Sequence, residues 1–162
     1  MPSVLFICTA NICRSPMAEA LLKKKLRQSD IHGWRVRSAG SWATKGLPAA
    51  EGSQLVLQEM GIDLSQHLSR PVSREVIETF DLILTMERGH KEALRVEFPD
   101  LKGRIYLLSE MVGSTFDIRD PIGGTMEDFK DTAREVEDLL ERGFERIVSL
   151  AQGEKAGHRG GL

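Results

Sequence analysis

The feature that most constrains this chain is a strand, loop and helix at its start. Residues 3–7 are a short apolar run that predicts a buried strand, and Cys8 ends that strand. Ser15 as N-cap and Pro16 at the first helical position then predict a helix. Cys8 and Arg14 therefore bracket a short loop between the carboxyl end of a strand and the start of a helix.

The rest of the chain alternates strands with helices. Further strands are predicted at residues 34–38, 80–86 and 104–108, with helices at 48–61 and 88–96. The helix at 48–61 is expected to place Leu55, Val56 and Met60 on one face and to end at Gly61. A last, long helix is predicted from Thr125 as N-cap, with a core stripe of Met126, Phe129, Ala133, Val136, Leu140, Phe144 and Ile147. This pattern predicts the α/β class: a three-layer sandwich in which helices flank a four-stranded parallel sheet, as in Rossmann-like folds.

Length and composition indicate a single globular unit. The chain has 162 residues, of which 41% are hydrophobic and 28% are charged. This is ordinary for one domain with a complete core, which we place at residues 1–152. The glycine-rich end, residues 153–162, is expected to be a flexible tail.

Charge and motif content exclude several classes of function. A net charge of −2 argues against a nucleic-acid partner, because backbone phosphates require a broad basic face. No apolar run resembles a membrane span or signal peptide, so a cytoplasmic protein without a membrane partner is expected. No metal or other cofactor is expected, because the histidines lack ligand spacing. These histidines are His32, His67, His90 and His158.

The loop after Cys8 has the composition of a phosphate site. The backbone N–H groups of Thr9, Ala10, Asn11, Ile12, Cys13 and Arg14 run into a helix N-terminus, where they can form an anion-binding nest. Arg14 adds a planar fork of donors that suits two phosphoryl oxygens. The same donors favour the thiolate of Cys8, which could attack phosphorus. A cytosolic cysteine at a strand end is more often a small buried hydrophobe, but these neighbours favour the reactive interpretation.

These residues resemble the loop of the low-molecular-weight protein tyrosine phosphatase family, which reads approximately V-C-x-G-N-I-C-R-S-P followed by A-E-A. The corresponding segment here is Cys8-Thr9-Ala10-Asn11-Ile12-Cys13-Arg14-Ser15-Pro16-Met17-Ala18-Glu19-Ala20. Ser38-Ala39-Gly40, His67 with Arg70, residues 81–86 and Asp120-Pro121 follow in the family's order. The chain departs from the family pattern at Ala10, usually glycine, and at residues 122–124, where many members have an aromatic pair.

The resemblance implies a role for each site residue. Cys8 is the expected nucleophile, Arg14 the phosphate clamp and Ser15 the hydroxyl that stabilises the thiolate. Asn11 is expected to hold a strained loop conformation with help from Ser38 and His67, since asparagine tolerates positive φ. The resemblance also implies a reversible disulfide between Cys8 and Cys13 that protects the nucleophile.

A phosphatase also needs a proton donor for the leaving oxygen. Asp120 is the candidate, and the nearby Asp117 is its rival. The family pattern favours the carboxylate next to proline, Asp120. It would act first as general acid and then as general base.

The expected rim of the site is apolar. Thr9, Ile12, Trp42 and Ile122 could form a slot for a flat ring, which favours phosphotyrosine in a phosphoprotein partner. A bacterial branch of the family hydrolyses phosphoarginine and shares Asp120-Pro121-x-Gly123-Gly124 with this chain, but usually has threonine at the position of Ile12. Arsenate reduction and non-catalytic phosphate binding are less favoured alternatives. The chain is expected to be a monomer or a weak dimer.

Overall fold

The fold is organised around a parallel four-stranded sheet, seen in a computed structural model that describes residues 1–153. The strands are β1 (Ser3–Cys8), β2 (Arg35–Gly40), β3 (Leu82–Thr85) and β4 (Ile105–Leu107). Their order across the sheet is β2-β1-β3-β4, and every pairing is parallel. The most apolar strand, β1, is central and all six of its residues are buried. This arrangement places the carboxyl ends of β1 and β3 side by side.

Helices cover both faces of the sheet. They are α1 (Arg14–Gln28), α2 (Glu51–Glu59), α3 (Arg74–Ile77), α4 (Arg88–Glu97), α5 (Met126–Arg142) and α6 (Phe144–Ala151), with 3-10 helices at Pro99–Arg104 and Leu108–Val112. Val4 and Phe6 pack with α1, α5 and α6, whereas Leu5 and Ile7 pack with α3 and α4. The alternation of side chains along β1 thus builds a core on each face. The predicted three-layer α/β sandwich is confirmed.

The prediction of one continuous C-terminal helix is wrong, because the segment forms two helices. Thr125 does cap it, since its side chain accepts a hydrogen bond from the Asp128 N–H, but the helix ends at Arg142 and α6 begins after Gly143. Gly143 packs so closely on Met111 that a Cβ there would lie 2.6 Å from the Met111 Cβ. This contact requires glycine, which has a poor helix propensity, and Gly143 separates α5 from α6.

Smaller corrections concern element boundaries and one helix face. The second strand begins one residue later than predicted and continues to Gly40, and the third is confined to Leu82–Thr85. In α2, Leu55 was predicted to share one face with Val56 and Met60, but it is 41% exposed, because Val56 and Leu57 face α1 and α5 instead. Of the predicted tail 153–162, all but Gly153 lies outside the described residues. Within residues 1–153, no helix combines the length and apolarity that a membrane crossing requires.

Candidate active site

The loop between β1 and α1 is held in place through its carbonyl groups. Five of them accept hydrogen bonds from other segments. Four pairs have distances of 2.7–2.9 Å: Ser41 N–H to Cys8 O, Trp42 N–H to Thr9 O, His67 Nε2–H to Asn11 O and Ala50 N–H to Ile12 O. The fifth is Ser53 Oγ–H to Cys13 O, at 3.2 Å. The N–H groups of residues 9–13, in contrast, have no acceptor within the described part of the chain. The loop therefore leaves these donors unpaired within the described residues, and their role in binding a phosphate stays a prediction.

Asn11 shapes the loop from inside. It is fully buried and has φ = 60°, the left-handed conformation that was expected for it. Its Oδ1 accepts a hydrogen bond from the Arg70 N–H at 3.0 Å, which sets the orientation of the amide. The two Nδ2 hydrogens then go to Ser15 Oγ at 2.8 Å and Ser38 Oγ at 2.9 Å. One side chain thereby joins the loop to α1, β2 and the segment around Arg70.

The hydrogen bonds from Asn11 give the network a direction. Ser38 Oγ accepts from Asn11 and donates to Glu19 Oε1 at 2.8 Å. Ser15 Oγ also accepts from Asn11, so its own proton is free to point at Cys8 Sγ, 2.9 Å away. A Cys8 thiolate is the acceptor that completes this arrangement. The Glu19 carboxylate, which can only accept, orients the Ser38 hydroxyl.

Ser15 does not cap α1, contrary to the sequence prediction. The helix begins at Arg14, Cys13 occupies the N-cap position, and its side chain makes no capping hydrogen bond. Ser15 lies within the first turn, with its hydroxyl committed to Cys8 and Asn11. The usual cap is absent because the uncapped end of this helix faces the anion site.

Arg14 is a buried cation with an unfilled donor. Its side chain is 1% exposed, and its Nη1 donates to Glu87 Oε2 and to Ile118 O, both at 2.6 Å. Its Nη2 lies 3.5 Å from Asp120 Oδ2. Within residues 1–153 its Nε is buried without a hydrogen-bond partner. A buried orphan donor is costly, and an oxyanion in the loop would satisfy it.

Glu87 is a contact of Arg14 that the sequence did not predict. It follows β3, whose carboxyl end lies beside that of β1, and its carboxylate fixes the far side of the Arg14 guanidinium. Glu87 is also the N-cap of α4, where it forms a capping box with His90. The available signal was a carboxylate immediately after a buried strand, at the sheet edge where ligands bind.

The two candidate carboxylates have different surroundings. Asp120 lies near Arg14, and its Oδ1 accepts from the Ile122 N–H, which holds the turn after Pro121. Asp117 instead accepts the Arg88 N–H at 2.8 Å at the start of α4. This backbone hydrogen bond, more than any other factor, lowers the pKa of Asp117. Asp120 therefore lies beside Arg14, whereas Asp117 bonds the start of α4, and the general-acid role of Asp120 stays a prediction.

Cys13 is close to the anion site but differs chemically from Cys8. Both cysteines are free and buried. Burial raises the pKa of Cys13 to about 12, and the nearby Asp120 and Cys8 add to this effect. Cys13 is therefore a neutral thiol at physiological pH, and the disulfide with Cys8 stays a prediction.

The rim residues are arranged around the loop as follows. Trp42 is 85% exposed, and its backbone bonds Thr9. Ile122 is 54% exposed in the turn after Asp120. Ile12 is half-buried against the cluster formed by α1, α2 and α5. The Thr9 hydroxyl contacts His90 on α4. The substrate roles of these four residues remain predictions.

Within residues 1–153, no three or more His, Cys, Asp or Glu side chains lie together in a group that could hold a metal ion. The cations and donors at this site are instead Arg14 and the backbone of the loop. An arginine and a helix N-terminus are a sufficient set for binding a phosphate group.

Comparison with known proteins identifies relatives over almost the whole described chain. The sequence profile named low molecular weight phosphotyrosine protein phosphatase matches residues 3–152. A protein-arginine-phosphatase of Geobacillus stearothermophilus is 38% identical over 145 residues, covering 89% of this chain and 95% of the relative.

Two solved structures show the same fold. The low molecular weight protein tyrosine phosphatase from T. tengcongensis superposes with a TM-score of 0.85 at 37% identity, over 90% of this chain and 99% of that one. A mutant of the arginine phosphatase YwlE with a phosphorylated active-site serine also gives 0.85, at 36% identity, over 91% of this chain and 95% of that one.

Proposed function

Because the chain belongs to the low-molecular-weight protein tyrosine phosphatase family and is therefore a phosphatase, we propose that it hydrolyses phosphotyrosine in proteins through a phosphocysteine at Cys8. The observation that carries the substrate class is Ile12, an apolar side chain within the phosphate loop itself. The exposed side chains of Trp42 and Ile122 add to it. Together the three side chains offer apolar contacts to a phenyl ring but no hydrogen-bond acceptor to a guanidinium.

The first half-reaction uses Cys8, Arg14 and Asp120. The Cys8 thiolate attacks phosphorus while the loop N–H groups and Arg14 bind the equatorial oxygens of the phosphoryl group. The bond from phosphorus to the tyrosine oxygen breaks, and protonated Asp120 gives its proton to that oxygen. The products of this step are tyrosine and phosphocysteine.

The second half-reaction reverses the role of Asp120. As a carboxylate it takes a proton from water, whose oxygen attacks phosphorus and releases inorganic phosphate. The departing Cys8 thiolate receives the hydrogen bond of Ser15, whose proton is directed at it by Asn11. Glu87 holds Arg14 in place through both steps.

Hydrolysis of protein phosphoarginine is the second candidate. It is favoured by the relatives, since the similar proteins of Geobacillus stearothermophilus and Bacillus subtilis are named protein-arginine-phosphatases. The observation against phosphoarginine is the residue at position 12 of the loop. The side chain of Ile12 cannot form a hydrogen bond with a cationic guanidinium or with a water molecule beside it.

The test compares phosphotyrosine and phosphoarginine peptides of the same flanking sequence. We expect the wild type to have the higher kcat/KM for phosphotyrosine and Ile12→Thr to lower that preference. Val96→Thr is the matched control, because Val96 is 82% exposed on α4, near the end of the helix away from the loop. A wild-type preference for phosphoarginine would reject phosphotyrosine as the substrate.

Two further expectations belong to the proposal. A cytoplasmic location is supported by the chemistry of Cys8, because a thiolate nucleophile beside a second free thiol requires a reducing compartment. A single catalytic domain at residues 1–152 is supported by a family match that extends over residues 3–152.

A further inference from the structure

His90 is a buried histidine that contacts the phosphate loop from a distant part of the chain. It lies in the first turn of α4 and is 7% exposed. Its Nδ1 accepts the Glu87 N–H at 3.2 Å, and its Nε2 is 2.9 Å from Thr9 Oγ1. The proposed reaction assigns it no step. His90 nevertheless bonds both Thr9, which follows the nucleophile, and Glu87, which binds Arg14.

The contacts of the ring define its protonation state. A backbone N–H can only donate, so Nδ1 must be the unprotonated nitrogen. In the neutral ring the proton is then on Nε2, which donates it to Thr9 Oγ1. Arg14 Nη2 approaches the same oxygen at 3.5 Å. Thr9 thus receives donors from α4 and from the phosphate-binding arginine.

We propose that His90 is a positioning residue: its neutral ring ties Thr9 in the loop to Glu87 at the start of α4 and so determines where the Arg14 guanidinium lies. The proposal rests on the proposed phosphatase reaction and adds a residue to it. His90 contacts neither the expected phosphoryl group nor the leaving group. It acts through Thr9 on one side and Glu87 on the other.

Protonation would break this tie. A ring with hydrogens on both nitrogens cannot accept the Glu87 N–H, and it would have to turn away from Thr9. Burial is the main cause that lowers the pKa of His90 from its ordinary 6.5, and Arg14 also lowers it. The carboxylates of Glu87, Asp117 and Asp120 oppose the shift. The tie is therefore complete at neutral pH and is lost on the acid side.

The variants that test the proposal are His90→Asn, Thr9→Val and their combination. Asparagine at position 90 retains an acceptor for the Glu87 N–H, as the equally short Asp128 does for the Thr125 N–H at the start of α5. It does not reach Thr9. Thr9→Ser keeps the hydroxyl and should lose less kcat/KM than Thr9→Val. His32→Asn is the control, since His32 is exposed and bonds only Asp30 among the described residues.

The readout is the hydrolysis of p-nitrophenyl phosphate, measured as kcat and KM over a range of pH. We expect each single variant to lose about fivefold to tenfold in kcat/KM, the effect of one hydrogen bond between neutral groups. The loss should fall mainly on kcat, because Arg14 contacts the phosphoryl group most strongly in the transition state. The double variant should lose no more than the single ones. The ratio of the wild-type kcat/KM to the kcat/KM of His90→Asn should be largest above pH 6.5 and should approach one as the pH falls.

Three results would overturn the proposal. They are full activity of both single variants, multiplicative losses in the double variant, and a ratio of wild type to His90→Asn that does not change with pH. The proposed reaction fails in a different way, because the wild type would then show no turnover that depends on Cys8. Thermal unfolding of each variant identifies a loss that comes from misfolding, and Thr9→Val still tests the tie if His90→Asn does not fold.

Discussion

The conformation of Asn11 predicts an unusual order of stability among variants at this position. Asn11 has φ = 60°, and its buried amide bonds Arg70, Ser15 and Ser38. Asn11→Ala and Asn11→Gly both remove the amide, and both leave the Arg70 N–H without its acceptor. That loss costs about 1–3 kcal/mol for a buried donor. The two variants differ only in whether the residue tolerates the left-handed backbone.

The expected difference follows from two opposing effects. Alanine in the left-handed region costs about 1–2 kcal/mol. Because glycine loses more backbone entropy than alanine on folding, it costs about 0.5–1 kcal/mol of stability relative to alanine. Asn11→Gly should therefore be more stable than Asn11→Ala by about 0.5–1 kcal/mol, the reverse of the usual order in helices.

Urea unfolding of both variants measures this difference directly. Asn11→Asp is the control for the amide, because it keeps an acceptor for Arg70 but loses both donors. All three variants should lose activity on p-nitrophenyl phosphate, since Ser15 is no longer oriented toward Cys8. An alanine variant at least as stable as the glycine variant would refute the claim that position 11 is conformationally strained.

Four further predictions concern titratable groups of the site. Asp120→Asn should slow phenyl phosphate by about 10²–10⁴-fold and p-nitrophenyl phosphate less, because nitrophenolate needs little protonation. Asp117→Ala should leave both rates unchanged and lower stability by about 0.5–1 kcal/mol, as expected for the loss of a helix cap; equal losses of activity would contradict these assignments. Iodoacetamide at mildly alkaline pH should label Cys8 and not Cys13, whose pKa is about 12; peptide mapping that finds Cys13 modified would count against this. Because the pKa of His90 is lowered in the folded state, the unfolded chain binds more protons than the folded chain below pH 6.5. The free energy of unfolding of the wild type should therefore fall relative to that of His90→Asn as the pH falls from 6.5. Parallel curves of unfolding free energy against pH would contradict this.

Local patterns in the sequence predicted the loop well, because its parts are neighbours along the chain. Cys8, Asn11, Arg14 and Ser15 lie within one strand, loop and helix unit, so their spacing already indicates a common site. The positive φ of Asn11 and the alternation of strands with helices were predicted and are present. The prediction that Ser15 is the N-cap of α1 was wrong. Serine is a typical N-cap residue, but the hydroxyl of Ser15 contacts Cys8 instead.

Contacts between distant segments were beyond the reach of local patterns. Glu87 and His90 follow Arg14 by more than seventy residues, and they meet the loop only because β3 pairs with β1. Neither residue belongs to a local motif that indicates its partner. The break at Gly143 likewise depends on its contact with Met111 in another element.

The account depends most on the covalent role of Cys8. The most direct measurement is rapid denaturing quench of Asp120→Asn during turnover of p-nitrophenyl phosphate, followed by peptide mass spectrometry. This variant forms the phosphoenzyme with a good leaving group but hydrolyses it slowly, since Asp120 would activate the water. We expect one phosphoryl group on Cys8 and none when Cys8→Ala is added to the same variant. Phosphate on Cys13 or Ser15, or turnover without any phosphoenzyme, would contradict the mechanism.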